Sequence, residues 1–276
     1  MPDRRRLRPR TTHLLGALTL LLALLVAAPL ILMALAAFKD AGSVFDGSPI
    51  ATEPTLANFA HVLGEVPLLR YMGNSLLVAV AATAGTLVFS SMGAFALARL
   101  HFRGRDTLFF AFFSTIFVSV PLIIVPLYLV VRELGLLESL GGVVAPMMFQ
   151  AFALFLLRQF YLTLPDELDD AARLDGCGPL RIFWSIALPL SRPVMAALAI
   201  FVFLGAWNAF LWPLTVARDP SLWVVQIGIA SLQGEFAGAW GAILAASTVA
   251  SIPTIVLFLI FQRQIIESIK TSGLKG

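Results

Sequence analysis

From Met72 to Ala98 the chain reads MGNSLLVAVAATAGTLVFSSMGAFALA, an apolar run without one Asp, Glu, Lys or Arg, closed by Arg99. A helix needs about 20 such residues to cross a hydrocarbon core of roughly 30 Å, and this run supplies them. Five more runs share its character: Leu14–Phe38, Thr107–Val131, Ser139–Leu157, Pro193–Ala217 and Trp240–Gln262, none with an acidic or basic side chain. They are continuously apolar and lack the alternation over about ten residues that a barrel strand requires, so the reading is an all-α membrane protein with six transmembrane helices. Composition agrees: 59% of residues are apolar and 13% charged, against roughly 45–50% and 25% in water-soluble domains. No stretch between the runs is long enough for a core of its own, which predicts a single membrane domain over residues 1–276. Gly85 and Gly93, with Ser90 and Ser91 between them, predict close helix packing in the second run.

The first run has a rival reading. Arg4, Arg5, Arg6, Arg8 and Arg10 precede it, and Ala34-Leu35-Ala36 resembles a signal-peptide cleavage site. Its length exceeds the core of about 7–15 residues that such peptides use, which favours a retained helix.

Charge orients the six helices. Those five arginines join Arg99, Arg103 and Arg105, then Arg158, Arg173, Arg181 and Arg192, then Arg263, Lys270 and Lys275 on one side; the other side has only Lys39, Arg70, Arg132 and Arg218. An excess of fifteen to four places both termini in the cytoplasm. It also accounts for the pI of about 9.4 without nucleic acid, since the basic residues flank apolar runs instead of forming a patch. The outer segments at about 39–71, 132–138 and 218–239 are then loops, and the longest inner one is about 158–192.

Several chemistries are missing. No G-x-x-x-x-G-K-[ST] run is present to cradle phosphates, and no H-E-x-x-H pair; His13, His61 and His101 are too scattered for a metal site. The lone Cys177 can form neither an intramolecular disulfide nor a cysteine-based metal centre. No metal, cofactor or catalytic residue is expected. Proton- and ion-coupled carriers keep carboxylates or histidines inside the bilayer at high cost. These runs have none, so the chain either conducts passively, as a channel or facilitator for small polar solutes, or draws energy from another subunit. A membrane-embedded enzyme would need convergent His, Asp or Glu at membrane depth.

Between the fourth and fifth runs stands Leu164-Pro165-Asp166-Glu167-Leu168-Asp169-Asp170-Ala171-Ala172-Arg173-Leu174-Asp175-Gly176. Pro165 suits a first helical turn, the acids favour its positive end, and Gly176 suits a left-handed stop. A second short helix from Pro179 has Leu180, Phe183, Ala187 and Leu188 on one face and is expected to end at Pro189. The pair is a cytoplasmic helix-turn-helix. Leu164, Leu168, Ala171 and Ala172 form a stripe that could rest on lipid. Helices lying on the negative inner leaflet are rich in Lys and Arg, however, and this one opposes five acids with Arg173 alone. Docking to a protein groove is favoured.

The run Asp170-Ala171-Ala172, Gly176, Ile186, Leu188-Pro189 resembles the E-A-A, G, I-x-L-P signature of binding-protein-dependent ABC importer permeases, with Asp for the usual Glu. Asn74-Ser75, Trp207-Asn208, Trp212-Pro213, Gln262-Arg263 and Gly273-Leu274-Lys275-Gly276 extend the likeness to the carbohydrate permeases of the maltose and glycerol-phosphate type, over roughly residues 56–276. The resemblance implies a type I ABC importer permease fold in a bacterial-type cytoplasmic (inner) membrane. It implies a second permease subunit, forming a heterodimer, two ATPase subunits, and an extracytoplasmic solute-binding protein. The helix around Asp170–Gly176 would sit in an ATPase cleft and turn closure of the ATPase pair into rocking of the spans, and the tail beyond Arg263 would touch the same pair. Gln233-Gly234, in a loop from about Gln226 to Ala239, would reach the binding protein. Asn74, Gln150 and Asn208 read first as interhelical hydrogen bonds; with Trp207 they are also candidates for a solute path, since a sugar calls for amides and a stacking ring.

Cys177 tests the orientation. A membrane-impermeant thiol reagent added outside sealed cells should leave it unlabelled and label it after permeabilisation; labelling from outside would reverse the topology.

Overall fold

The computed structural model describes residues 9–40, 43–48, 50–235 and 240–272, with side chains over 16–233 and 240–262 of these. Among them all regular structure is helical. The chain divides into two compact units, residues 1–67 with 231–249 and residues 68–230 with 250–276, which are described in turn.

The first unit opens with α1 (Pro9–Ala36), whose stretch Gly16–Ala36 is apolar on every side and unburied; hydrocarbon is the environment such a helix fits. The chain then folds around Lys39, which is 1% exposed. Its Nζ donates to Asp46 Oδ1 at 2.7 Å and to the carbonyls of Ser43 and Ser48, so all three donors of the buried ammonium are met. Lys39 in turn holds the Asp46 carboxyl below the usual carboxylate range. α2 (Ala57–Gly64) follows, and Asn58 Nδ2 ties it to the carbonyls of Ala37 and Lys39 at 2.9 and 2.7 Å. The segment expected as a loop over 39–71 therefore contains a helix.

In the second unit α3 (Leu68–Arg99) is the spine, about 48 Å long at 1.5 Å per residue. It is followed by α4 (Arg105–Ser114) and α5 (Val120–Glu133), then by α6 (Leu140–Val144) and α7 (Ala151–Leu162). The hairpin is α8 (Asp166–Leu174), α9 (Pro179–Ile182) and α10 (Leu188–Leu190). Then come α11 (Arg192–Trp207) and α12 (Leu211–Val216); α13 (Val225–Glu235) and α14 (Trp240–Ser272) contribute to both units. α3 packs chiefly against α7 and α11.

Among the described residues four helices are long and apolar enough to cross a membrane, and six if each of two bent pairs is one span. The bends add what the sequence reading lacks. The third run breaks by 113° between Arg105–Phe117 and Val120–Glu133, because Pro121 has no N–H for the Phe117 carbonyl and its ring would crowd it. The fourth tightens to a 3₁₀ turn over Ala145–Met148 and is extended at Phe149 and Gln150. The fifth stops at Trp207 and resumes as α12, since Pro213 cannot donate to Ala209. The hairpin expected to end at Pro189 instead runs to Leu190 and meets α11 at 75°. A π turn over Phe183–Ala187, with the Leu188 N–H on the Phe183 carbonyl, shifts the hydrogen-bond register and carries the chain through the proline. The outer segment expected as a loop over 218–239 contains α13, so Gln226 lies on a helix.

Helix breaks at membrane depth leave backbone groups that must find partners inside the protein. Thr86 Oγ1 donates to the Met147 carbonyl at 2.9 Å and Trp212 Nε1 to the Val143 carbonyl at 3.1 Å. Asn74 Nδ2 donates to the carbonyls of Ser221 and Trp223 at 3.0 and 2.9 Å, while Ser75 Oγ accepts the Val225 N–H at 2.7 Å. The glycines of α3 do pack closely: a Cβ on Gly85 would lie 2.4 Å from Met148 Cγ, and one on Gly93 would lie 3.2 Å from Leu154.

The tightest approach is at Gly142, where a Cβ would lie 2.1 Å from the Leu136 carbonyl oxygen. Gly142→Ala should cost about 1–3 kcal/mol as overpacking and lower the melting temperature in detergent. Gly73→Ala, with nothing within 4 Å of its Cβ, should not; equal effects would contradict the packing.

Candidate functional site

α8 starts directly after Pro165, which is extended at φ −60° and ψ 136°, and Asp166, Glu167 and Asp169 fill its first turn. It ends in a Schellman motif: the Gly176 N–H donates to the Arg173 carbonyl and the Cys177 N–H to the Ala172 carbonyl. Gly176 closes it at φ +77°, the left-handed conformation expected for it.

The signature residues divide into two sets. Ala172 is buried, and it joins Ile182, Phe183 and Ala187 in one apolar cluster with Ala94, Phe95 and Ala98 of α3, Leu157 and Tyr161 of α7, and Leu198 of α11. Ile186 and Leu188 pack against that cluster and Pro189 is half-buried beside them. These residues fasten the hairpin to its own helices. Asp170, Ala171 and Gly176 are exposed. Around them project Leu174 at 90% exposure, Leu180 at 68% and Trp184 at 54%. Leu180 and Trp184 were not expected at such a surface; their spacing of four residues places them on one helical face, which is the signal that could have found them.

The acids also divide. Glu167, Asp170 and Asp175 face outward, with Arg173 Nη1 3.4 Å from Asp170 Oδ1. Asp166 and Asp169 instead meet Arg99, the last residue of α3, whose side chain is 7% exposed. The guanidinium pairs with Asp166 Oδ1, lies 3.6 Å from Asp169 Oδ2, and donates to the carbonyls of Leu164 at 2.8 Å and Pro165 at 3.3 Å. Asp169 is itself buried. A second buried arginine, Arg158 of α7, donates to the Leu97 carbonyl at 3.1 Å and to Asp106 at 2.9 Å, with its guanidinium 3.9 Å above the Phe109 ring. Both arginines counted in the sequence only as topological charge. Nothing in their spacing shows that the α3 C-terminus comes back onto residues far along the chain.

The amides and the indole proposed for a path have different surroundings. Trp207 is 2% exposed and stacks on Phe203 at 6.0 Å. Asn74 is occupied by the two carbonyls already described. Asn208, at the break after α11, is exposed; it donates to the Leu204 carbonyl at 2.8 Å and accepts from Gln226 Nε2 at 3.3 Å. Gln150, at the break before α7, lines a cleft of about 410 Å³ with Phe89, Phe149 and Phe112. Gln233 is exposed, and Gly234 is helical with its side of the helix outside the described residues, as is the run 273–276. Among the described residues no group of three or more His, Cys, Asp or Glu could hold a metal ion.

A bundle of helices built on apolar runs, with an exposed hairpin braced on one end, is the arrangement of a transport permease. The family model described as binding-protein-dependent transport system inner membrane component matches residues 87–271, and the chain belongs to that family. It is 34% identical over 278 residues, 99% of this chain and 100% of the relative, to the arabinooligosaccharides transport system permease protein AraQ of Halalkalibacterium halodurans. It is 34% identical over 260 residues, 90% of this chain and 92% of the relative, to the sn-glycerol-3-phosphate transport system permease protein UgpE of Yersinia pestis. A bacterial ABC transporter involved in the import of the acidic polysaccharide alginate shares the fold, with a TM-score of 0.80 at 23% identity over 95% of this chain and 99% of that one. The chain is thus an inner-membrane permease component.

Gly176→Val should cost about 1–2 kcal/mol at the left-handed position. Asp170→Lys reverses an exposed charge. Both variants should reach wild-type abundance in the membrane while solute uptake by cells falls; unchanged uptake in both would remove the hairpin from the mechanism.

Proposed function

We propose that this chain is the permease subunit of an ATP-driven importer that carries a sugar or sugar-like solute, a di- or oligosaccharide, polyol or glycerol phosphate, across the cytoplasmic membrane. The observation that carries the reading is the pairing of spans free of ionisable residues with an exposed, acid-rich hairpin fixed to their cytoplasmic end. Such a chain has a place to receive work and no means of its own to supply it. The substrate class is supported by the names of the relatives. A passive channel would share the uncharged spans but has no use for the hairpin.

In this reading the chain works as one permease domain, which is supported by a family match that runs through both compact units. It pairs with a second permease subunit as a heterodimer, with both termini in the cytoplasm as the basic asymmetry requires. Two separate ATPase subunits bind below. Asp170, Ala171 and Gly176 present α8 to an ATPase cleft, and Ala172, Ile186, Leu188 and Pro189 hold it in place. Gln233 and Gly234, at the end of α13 on the outer side, meet a solute-binding protein. Gln150 and Asn208 offer amides to the moving solute, with Trp207 buried next to Asn208 and Asn74 holding the carbonyls of Ser221 and Trp223.

Reconstitution provides the test. In proteoliposomes the chain alone should neither hydrolyse ATP nor pass solute, and transport should appear only with its permease partner, ATPase subunits and binding protein. Solute flux through the chain alone would favour the channel.

A further inference from the structure

We infer that Arg99 is the positioning residue that makes α8 move with the membrane bundle, a role that rests on the importer reading above. Arg99 ends the longest buried helix of its unit, and its guanidinium meets two side chains and two carbonyls at the start of α8. Arg99 at 7% and the Asp169 side chain at 10% exposure form the buried half of the contact, while the Asp166 side chain, 88% exposed, closes it from the solvent side. A planar guanidinium held in that way fixes direction as well as distance, which an ammonium cannot do. The same end of α3 is held from the other side: Arg158 grips the Leu97 carbonyl, two residues earlier, and ties it to Asp106 in the first turn of α4.

The apolar cluster beneath the hairpin fastens it to the bundle but fixes its direction less than a charged fork does. Ala172 and Ile182 touch the bundle through nonpolar surface, which resists separation but little resists sliding. Leu164, just ahead of α8, packs against that cluster, and Arg99 adds the polar hold on the first turn through Asp166 and Asp169. A displacement of α8 by a docked partner therefore reaches α3 through the guanidinium.

The test uses the full complex of permease pair, ATPase subunits and binding protein in proteoliposomes, with solute uptake and ATP hydrolysis measured together. Arg99→Met leaves Asp169 buried and unpaired and lowers abundance; Arg99→Met with Asp169→Leu removes both charges and should restore it, as replacing a whole buried pair with apolar groups does. The inference predicts that this double variant assembles with its ATPase subunits at wild-type yield yet imports about tenfold less solute per ATP hydrolysed. Arg99→Lys, which keeps the charge without the fork, should fall between. A double variant with wild-type solute per ATP would show that the pair only stabilises the fold and would overturn the inference. Failure of the wild-type complex to transport at all would refute the importer reading itself.

Discussion

One buried guanidinium joins the apolar helix bundle of this protein to the exposed hairpin at its end. Burying an arginine costs several kcal/mol unless its donors are met, and Arg99 meets that condition only if Leu164, Pro165, Asp166 and Asp169 are all brought to the end of α3. The position of α8 follows from that requirement. The cluster from Ala94 to Leu198 then fills the space beneath the hairpin, and the Schellman turn at Gly176 sends the chain toward Pro179.

The second organising constraint is the hydrocarbon's intolerance of unpaired backbone. Three of the apolar runs are broken at or near prolines, and side chains from elsewhere meet backbone groups in the fourth run and after the fifth: Thr86 on Met147, Trp212 on Val143, Asn74 and Ser75 on the segment 221–225. Kinks in a permease need not be weak points. Here they leave Gln150 half-buried in a cleft and Asn208 exposed, while Asn74 is committed to the scaffold.

The distribution of charge made the all-helical fold and the helix-turn-helix legible in the sequence. Absence of Asp, Glu, Lys and Arg defines each apolar run, and their return marks the hairpin. The apolar runs were read as continuous, so the 113° bend in the third stayed hidden: a window of hydropathy has no term for the direction in which a helix resumes. Gly176 was legible because left-handed backbone has a residue-type signature. The roles of Arg99, Arg158 and Trp184 were not, because they depend on contacts between residues about 60 positions apart or on which face of a short helix the core leaves open. The division of the signature into buried Ala172, Ile186 and Leu188 and exposed Asp170 and Ala171 is likewise a property of the packed hairpin and not of its letters.

The central claim is mechanical, that α3 and α8 travel as one body when the importer works. It is tested most directly by the distance between spin labels at Met92→Cys in α3 and Glu167→Cys in α8, with Cys177→Ser to leave no other thiol. The complex would be compared without nucleotide and with ATP trapped. The account predicts the same distance in both states, while labels placed on the two permease subunits change theirs. A distance between α3 and α8 that shifts with nucleotide would contradict it.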